Sequence, residues 1–147
     1  MILRVEHLGV AVANEEAARS VFDRLFEKTP YKTEDVTSQG VRTIFYDVNN
    51  SKIELLKDTK EEGGVISRFV EKRGEGMHHI ALETDDIYQE INRLKADGFV
   101  FVDDTPKEGA DNKLICFLHP KSTHGVLVEL CQSRTPNEEK EDTHKVT

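Results

Sequence analysis

The sequence has 147 residues, of which 37% are hydrophobic, and its formal net charge is -8. This length predicts a single domain that buries enough surface to fold without disulfide bonds. Acidic charge is spread along the chain, and no basic patch with interleaved aromatic residues occurs, which argues against nucleic acid as a partner. The sequence has no run of about 18 apolar residues and no signal-like leader, so we expect neither membrane insertion nor export.

The hydrophobic pattern of the first half of the chain predicts a strand, an amphipathic helix and then further strands. The first strand contains His7, and Asn14 begins the helix because its side-chain oxygen can accept from the first free backbone NH groups. The closing strands contain Glu54. We place the end of this first module at about residue 58, and we expect a connecting helix at about residues 60–75.

The second half repeats this order of elements. Its first strand contains His79, its helix begins at Asp85 or Asp86, and its last strand contains Glu129. The two histidines lie almost as far apart along the chain as the two glutamates do, so the halves keep register. We therefore predict two like modules, the second at about residues 76–131, related by a pseudo-twofold axis.

The C-terminal segment and the cysteines complete the predicted organisation. Residues 132–147 contain one aliphatic and no aromatic residue, so we expect a loose polar tail. Cys116 and Cys131 lie in apolar, strand-like runs, which predicts buried thiols rather than a disulfide. Unpaired thiols favour a reducing, cytoplasmic location.

Strand alternation places the two candidate histidines on a surface lined by small residues. His7 shares its face with Gly9, and His79 shares its face with Ala81. The bulkier apolar neighbours point the other way and must pack on the helices, so the histidines face a cavity. Alternation points His78 to the opposite face, which favours a structural role.

The two glutamates have the same orientation as the histidines. Glu54 and Glu129 each lie between two aliphatic residues, so both carboxylates project away from the packed face. Two imidazoles and two carboxylates suit a divalent Co, Mn, Ni, Zn or Fe ion and leave positions open for water or substrate. A cation also removes the cost of burying unpaired carboxylates. We predict one divalent metal ion held by His7, Glu54, His79 and Glu129.

The polar hairpin HPKSTHG lies shortly before Glu129 in the sequence. It carries Lys121 and Ser122, which predicts contacts with an anionic substrate. An ordinary polar hairpin would explain the same residues.

The element order and ligand positions resemble the vicinal-oxygen-chelate superfamily, whose paired βαβββ modules carry a ligand histidine in the first strand and a ligand glutamate in the last. Within it, EKRGEGMHHIALETDDI and FLHPKSTHGVLVELC are similar to the methylmalonyl-CoA epimerase family. The resemblance covers residues 1–131. It implies an α+β, glyoxalase-like fold with a curved mixed sheet around a metal cavity. It also implies a homodimeric isomerase that interconverts the R and S epimers of an acyl-CoA thioester, methylmalonyl-CoA.

The resemblance further implies roles for individual residues. Glu129 is the first candidate for proton transfer on one face of a planar enolate that the metal stabilises. Some family members carry a second glutamate on the third strand of the first half, and the matching residue here is Thr43, a poor base near neutral pH. Either Glu54 or a water held near Thr43 therefore serves the second face, and we favour Glu54.

Three other activities share the expected fold. A glyoxalase I type lactoylglutathione lyase uses the same ligands, and only the resemblance of the hairpin and its surroundings favours the epimerase. An iron dioxygenase of the superfamily needs two histidines and one carboxylate, and the chain is short for one. A drug-binding or resistance module needs none of the four ligands.

Overall fold

The computed structural model describes residues 1–135, which form one eight-stranded mixed sheet with three α-helices. The elements in chain order are β1 (Ile2–Ala11), α1 (Glu15–Phe26), β2 (Lys32–Val36), β3 (Val41–Val48), β4 (Ser51–Asp58), α2 (Val65–Arg73), β5 (Gly76–Thr84), α3 (Ile87–Ala96), β6 (Phe101–Glu108), β7 (Lys113–Leu118) and β8 (Val128–Ser133). Short 3-10 turns at Ala110–Asn112 and Pro120–Ser122 lie before and after β7. The predicted α+β fold of two βαβββ modules is confirmed, and α2 connects them.

The sheet order makes the two modules equivalent about its centre. The strands run β2-β3-β4-β1-β5-β8-β7-β6, so β1 and β5, the first strands of the modules, are central neighbours. They pair antiparallel, while β1 pairs parallel with β4 and β5 pairs parallel with β8. The four strands that carry the candidate ligands are therefore adjacent.

The register between these strands explains why small residues are needed beside the ligands. Gly9 on β1 is level with both Glu54 and His79, and Ala81 on β5 is level with both His7 and Glu129. A Cβ atom at position 9 would overlap the His79 imidazole ring. The cavity predicted from strand alternation thus depends on Gly9, because the neighbouring ring occupies the space that a side chain would fill.

Helices α1 and α3 cover the opposite face of the sheet, one on each module. Their apolar clusters are Val12, Ile44, Tyr46 and Leu55 with Phe22 and Phe26 in the first module, and Ile87, Ile91, Leu94, Leu118 and Leu130 in the second. The predicted helix starts are confirmed: Asn14 Oδ1 accepts from Ala17 N at 2.8 Å, and Asp86 Oδ1 accepts from Gln89 N at 3.0 Å.

The connecting helix α2 packs on the cavity side of the first module. Ile66 is buried against Ala11 and Leu56. Asp58, the last residue of β4, caps the helix from outside, because its carboxylate accepts from Ile66 N at 3.0 Å and from Ser67 N at 2.7 Å. These hydrogen bonds fix the start of α2 to the end of the strand that carries Glu54.

The remaining expectations concern the chain end and the cysteines. Strand β8 continues to Ser133, beyond the expected boundary at residue 131, and the rest of the expected tail, residues 136–147, lies outside the described residues. Cys116 and Cys131 are buried free thiols, as predicted, and burial raises the pKa of Cys116 to about 12. No helix within residues 1–135 has the length and hydrophobicity that a membrane span requires.

The variant Gly9→Ala tests the close packing at the centre of the sheet. We expect the free energy of unfolding, measured by urea denaturation, to fall by about 1–3 kcal/mol, because the new methyl group overlaps the His79 ring. The control is the same substitution in a His79→Ala background, where the methyl group meets no imidazole. Equal losses in both backgrounds would contradict this packing.

Candidate metal centre

Three of the predicted ligands form a compact group on the cavity side of the sheet. His7, Glu54 and His79 are buried, and each offers a ligand atom within 4.8 Å of the others. His7 Nε2 lies 2.9 Å from His79 Nε2 and 2.9 Å from Glu54 Oε2. Neighbouring ligands bound at about 2.1 Å and at right angles around one ion lie about 3 Å apart. The spacing of these atoms therefore fits a single divalent ion.

The fourth predicted ligand, Glu129, is buried beside this group. Its Oε2 atom lies 3.2 Å from His79 Nε2 and 3.8 Å from His7 Nε2. Glu129, on β8, thus lies within 3.8 Å of both imidazoles, and Glu54, on β4 of the other module, contacts His7. The fold brings all four predicted residues together.

A buried glutamate orients the first histidine. Glu6 is 1% exposed, and its Oε2 atom makes a short hydrogen bond with His7 Nδ1 while Oε1 accepts from Lys52 Nζ at 2.5 Å. Burial alone would raise the pKa of Glu6, but the hydrogen bonds from His7 and Lys52 outweigh it and lower the pKa to about 2. A carboxylate on Nδ1 leaves the Nε2 lone pair of neutral His7 directed at the other ligands.

The imidazole of His78 orients His79 in the same way. His78 Nδ1 lies 2.9 Å from His79 Nδ1, and the His78 ring packs edge-on to Phe69. Burial, with a contribution from the nearby His79, lowers the pKa of His78 to about 4. Neutral His78 can accept a hydrogen bond from His79 Nδ1 and so leave the Nε2 lone pair of His79 free. His78 therefore reaches the cavity, contrary to the expectation from alternation.

Two β-bulges explain how these neighbours reach the ligands. Along β1, Val5 pairs with Leu82 and His7 with Ala81, so Glu6 is an extra residue. Along β5, His79 pairs with Gly9 and Met77 with Val10, so His78 is an extra residue. A bulge breaks the alternation of side chains, and each extra residue turns towards the histidine that follows it. In the sequence, an ionisable residue precedes each of the two predicted ligand histidines. Strict alternation along a strand would point that residue away from the histidine, so alternation alone could not reveal the contact.

The donor set fits a cation. With both Nδ1 atoms hydrogen-bonded, the site presents two imidazole lone pairs and two carboxylates, which are all acceptors. Protonation of His7 is the alternative to a metal: burial lowers its pKa, but the hydrogen bonds to Glu54 and Glu6 raise it to about 10. Either a proton or a metal ion therefore supplies positive charge at His7 Nε2.

A cavity of about 550 Å³ opens over the group, and all four predicted ligands line it. Thr43, near which the sequence places a candidate water, is buried in the cavity wall. The wall also contains Val41, Leu56, Ile115 and the half-buried Phe117. Burial raises the pKa of Glu54, and the hydrogen bond from His7 offsets this only in part. The site thus contains a carboxyl group that can carry a proton beside a space that can hold a small acyl group.

The two residues predicted on the hairpin lie elsewhere. Ser122 Oγ accepts from Val100 N at 2.8 Å and so ties the Pro120–Ser122 turn to the start of β6. Lys121 is exposed on the same turn, and neither residue is among those that line the metal cavity. Their contact with substrate stays a prediction.

The comparisons with known proteins agree with this architecture. Residues 6–117 match the family model of the Glyoxalase/Bleomycin resistance protein/Dioxygenase superfamily. A sheet of two βαβββ modules around a central group of histidines and glutamates is therefore that of a superfamily member.

Individual relatives narrow the assignment. The chain is 40% identical to the ethylmalonyl-CoA/methylmalonyl-CoA epimerase of Cereibacter sphaeroides, over 90% of this chain and 99% of that protein. It is 35% identical to the mitochondrial methylmalonyl-CoA epimerase of Dictyostelium discoideum, over 86% of this chain and 76% of that protein. A solved structure of a variant methylmalonyl-CoA epimerase from Streptomyces coelicolor, in complex with 2-nitronate-propionyl-CoA, matches with a TM-score of 0.85 at 31% identity and covers 92% of this chain and 97% of that chain. This chain belongs to the methylmalonyl-CoA epimerase family, as its sequence motifs predicted.

The variant Glu6→Gln tests the orientation of His7. It keeps the size of the side chain but removes the charge, so we expect the dissociation constant for cobalt(II), measured by competition titration, to rise about 10- to 100-fold. The control is Glu83→Gln, because Glu83 pairs with Arg4 at 2.6 Å on the same sheet and contacts neither histidine ligand. Equal affinity in the wild type and in Glu6→Gln would show that Glu6 does not support the metal site.

Proposed function

We propose that the protein interconverts the R and S epimers of methylmalonyl-CoA by removing and returning the α-proton. The observation that carries this proposal is that two buried carboxylates from opposite modules lie beside the His7 imidazole, Glu54 at 2.9 Å and Glu129 at 3.8 Å, and that Glu129 also lies 3.2 Å from His79. Epimerisation requires an acid/base group on each face of a planar intermediate. The names of the relatives, which are methylmalonyl-CoA epimerases, support the same reaction.

We propose that His7, Glu54, His79 and Glu129 hold one divalent ion, and the donor set suits Co, Mn, Ni or Zn. Such an ion would polarise the substrate's carboxylate and thioester oxygens and stabilise the negative charge that develops as the proton leaves. Glu6 and His78 keep the two imidazoles in the tautomers that ligation needs.

The proton transfers belong to the two glutamates. Glu129 accepts the α-proton on one face, and the C–H bonding electrons move into the thioester carbonyl to give a planar enolate. Glu54 delivers a proton to the other face when the configuration inverts. Its raised pKa, which burial causes, suits this role because the protonated form persists closer to neutral pH.

A water molecule held by Thr43 is the alternative proton-transfer group for the second face of the enolate. Its buried hydroxyl lines the same cavity as Glu54 and has the donor and acceptor groups to hold a water molecule. In that arrangement the water, rather than Glu54, would exchange the proton.

The cell compartment and the assembly remain part of the proposal. The unpaired buried thiols of Cys116 and Cys131 support a reducing, cytoplasmic location. Several of the relatives are mitochondrial by name. The homodimer that the family resemblance implies stays a prediction.

Solvent isotope exchange tests the proposed reaction. The protein loaded with cobalt(II) should exchange the α-proton of methylmalonyl-CoA for deuterium, measured by mass spectrometry, and removal of the metal with a chelator should abolish exchange. His79→Ala should lose stoichiometric metal and exchange together while its circular dichroism spectrum is unchanged. A parallel assay with the hemithioacetal of methylglyoxal and glutathione detects the competing lyase. Absence of exchange with every candidate metal would refute the epimerase.

The variant Glu54→Gln separates the two candidates for the second face. If Glu54 is the base, the variant should retain metal but lose epimerisation by at least about 100-fold, the usual scale of general acid/base catalysis. Exchange of the α-proton with solvent through Glu129 should continue, because that carboxylate is intact. Thr43→Val is the matched comparison: unchanged epimerisation in Glu54→Gln with loss in Thr43→Val would assign the second face to water at Thr43.

A further inference from the structure

A network of ion pairs extends from the candidate metal centre to strand β2 at the edge of the sheet. Glu6 Oε1 accepts from Lys52 Nζ at 2.5 Å, and Lys52 Nζ also donates to Asp111 Oδ2 at 2.6 Å. The other oxygen of Asp111, Oδ1, accepts from Lys32 Nζ at 3.2 Å, and Lys32 pairs with Glu34 at 2.9 Å. The charges alternate in sign, so each inner member of this ion-pair network lies between two opposite charges.

The network joins the two modules. Glu6, Lys52 and Lys32 belong to β1, β4 and β2 of the first module, whereas Asp111 lies in the 3-10 turn between β6 and β7 of the second. The backbone of this turn is also bound to the first module, because Asp111 N donates to Glu34 Oε2 at 3.1 Å. In the sheet order β2 and β6 are the outermost strands of residues 1–135, so the turn brings the two edges of the curved sheet together beside the cavity, which Asp111 lines.

The backbone at this turn is held in an uncommon conformation. Asp111 has φ 58° and ψ 37°, and the following Asn112 has φ 54°. Asp and Asn adopt the left-handed region more readily than other residues with a side chain do, but two in succession persist only where surrounding contacts hold them. The contacts of Asp111 with Lys52, Lys32 and Glu34 serve that purpose.

The side chains of the network become more exposed with distance from the metal centre. The exposed fraction is 1% for Glu6, 18% for Lys52 and 32% for Asp111. Exposed ion pairs contribute little, but loss of one partner of a buried charge leaves that charge uncompensated. The other cation near Glu6, Lys113, lies 3.8 Å away and donates to Ser133 at 2.7 Å. Lys52 is therefore the principal partner of the Glu6 Oε1 atom, and Asp111 is the principal partner of Lys52 outside the metal centre.

We propose that Lys52 and Asp111 are positioning residues for the candidate metal centre. Lys52 holds Oε1 of Glu6, which keeps the Oε2 atom on His7 Nδ1, and Asp111 holds the Lys52 ammonium group in place. The inference rests on the proposed function, because the orientation of His7 matters only if its Nε2 atom binds a metal ion. A ligand imidazole binds best when the group on its other nitrogen is itself fixed.

The variant Asp111→Asn tests the outer link. Asparagine keeps the size of the side chain and tolerates the left-handed backbone, but it removes the charge that holds Lys52. We expect the dissociation constant for cobalt(II), measured by competition titration, to rise about threefold to tenfold. The control is Asp104→Asn, which removes the same charge from an exposed pair with Lys95 that does not line the metal cavity. The control should bind cobalt as the wild type does.

A double-mutant cycle shows whether Asp111 acts through Glu6. In a Glu6→Gln background, Asp111→Asn should cause no further loss of cobalt affinity, because the carboxylate that the network positions is already absent. A charge that acts only through space would lower the affinity by the same factor in both backgrounds. Equal factors would therefore overturn the positioning role.

The variant Lys52→Met tests the inner link by the sign of its effect. Removal of a cation beside a metal site would by itself strengthen the binding of another cation. We expect the opposite, a cobalt dissociation constant about tenfold higher than in the wild type, because Glu6 loses its principal partner. Lys52→Arg should restore most of the affinity, and Lys95→Met is the matched control. Tighter cobalt binding in Lys52→Met would contradict the proposal, and Asp111→Asn decides the question if Lys52→Met does not fold.

The same titrations separate this inference from the proposed function. Wild-type protein that binds no cobalt would refute the metal site and the positioning role with it. Wild-type binding that none of the network variants weakens would overturn the positioning role while the metal site stands. Weaker binding in the variants with the expected double-mutant cycle, but no exchange of the α-proton in the wild type, would support the positioning role and refute the epimerase.

Discussion

The convergence of four hydrogen-bond acceptors is the constraint on which the structure depends. His7, His79, Glu54 and Glu129 are buried, His7 lies within 3.8 Å of each of the other three, and His79 lies 3.2 Å from Glu129. None of these groups can satisfy the others without an added proton or cation. The fold supplies what this arrangement needs. Adjacent strands bring the residues together, and Gly9 leaves the space that the His79 ring occupies. Without a metal ion, a proton on His7 supplies the positive charge that the carboxylates require, so a divalent ion would have to displace that proton.

The bulges at Glu6 and His78 make the two halves chemically unequal within a symmetric fold. Each bulge turns the residue before a ligand histidine onto that histidine's Nδ1, but one residue is a carboxylate and the other a neutral imidazole. A carboxylate makes the attached imidazole a stronger electron donor than a neutral acceptor does. The equivalent histidines His7 and His79 therefore have different partners at Nδ1, a charged carboxylate in the first module and a neutral imidazole in the second.

The sequence predicted the fold and the central residues because their signals are local and repeated. Strand alternation, the caps at Asn14 and Asp86, and the duplicated order of His7, Glu54, His79 and Glu129 do not require knowledge of tertiary contacts. The residues that were missed depend on such contacts. Alternation assigned His78 to the wrong face because a bulge shifts it, and Lys52 reaches Glu6 from a different strand. The packing of α2 on the cavity side also follows from tertiary contacts rather than from its apolar stripe.

Helix α2 forms part of the wall of the cavity over the candidate metal site. Its first turn is held by Asp58, at the end of the strand that carries Glu54, and Ile66 packs in the core beside the cavity. Val65 and Ile66, at the start of the helix, line that cavity. Hydrogen bonds and packing contacts therefore fix this part of the wall relative to Glu54. Proton transfer at one carbon requires that the reacting group be held at a set position relative to the base, and a wall fixed to the strand of Glu54 meets that requirement.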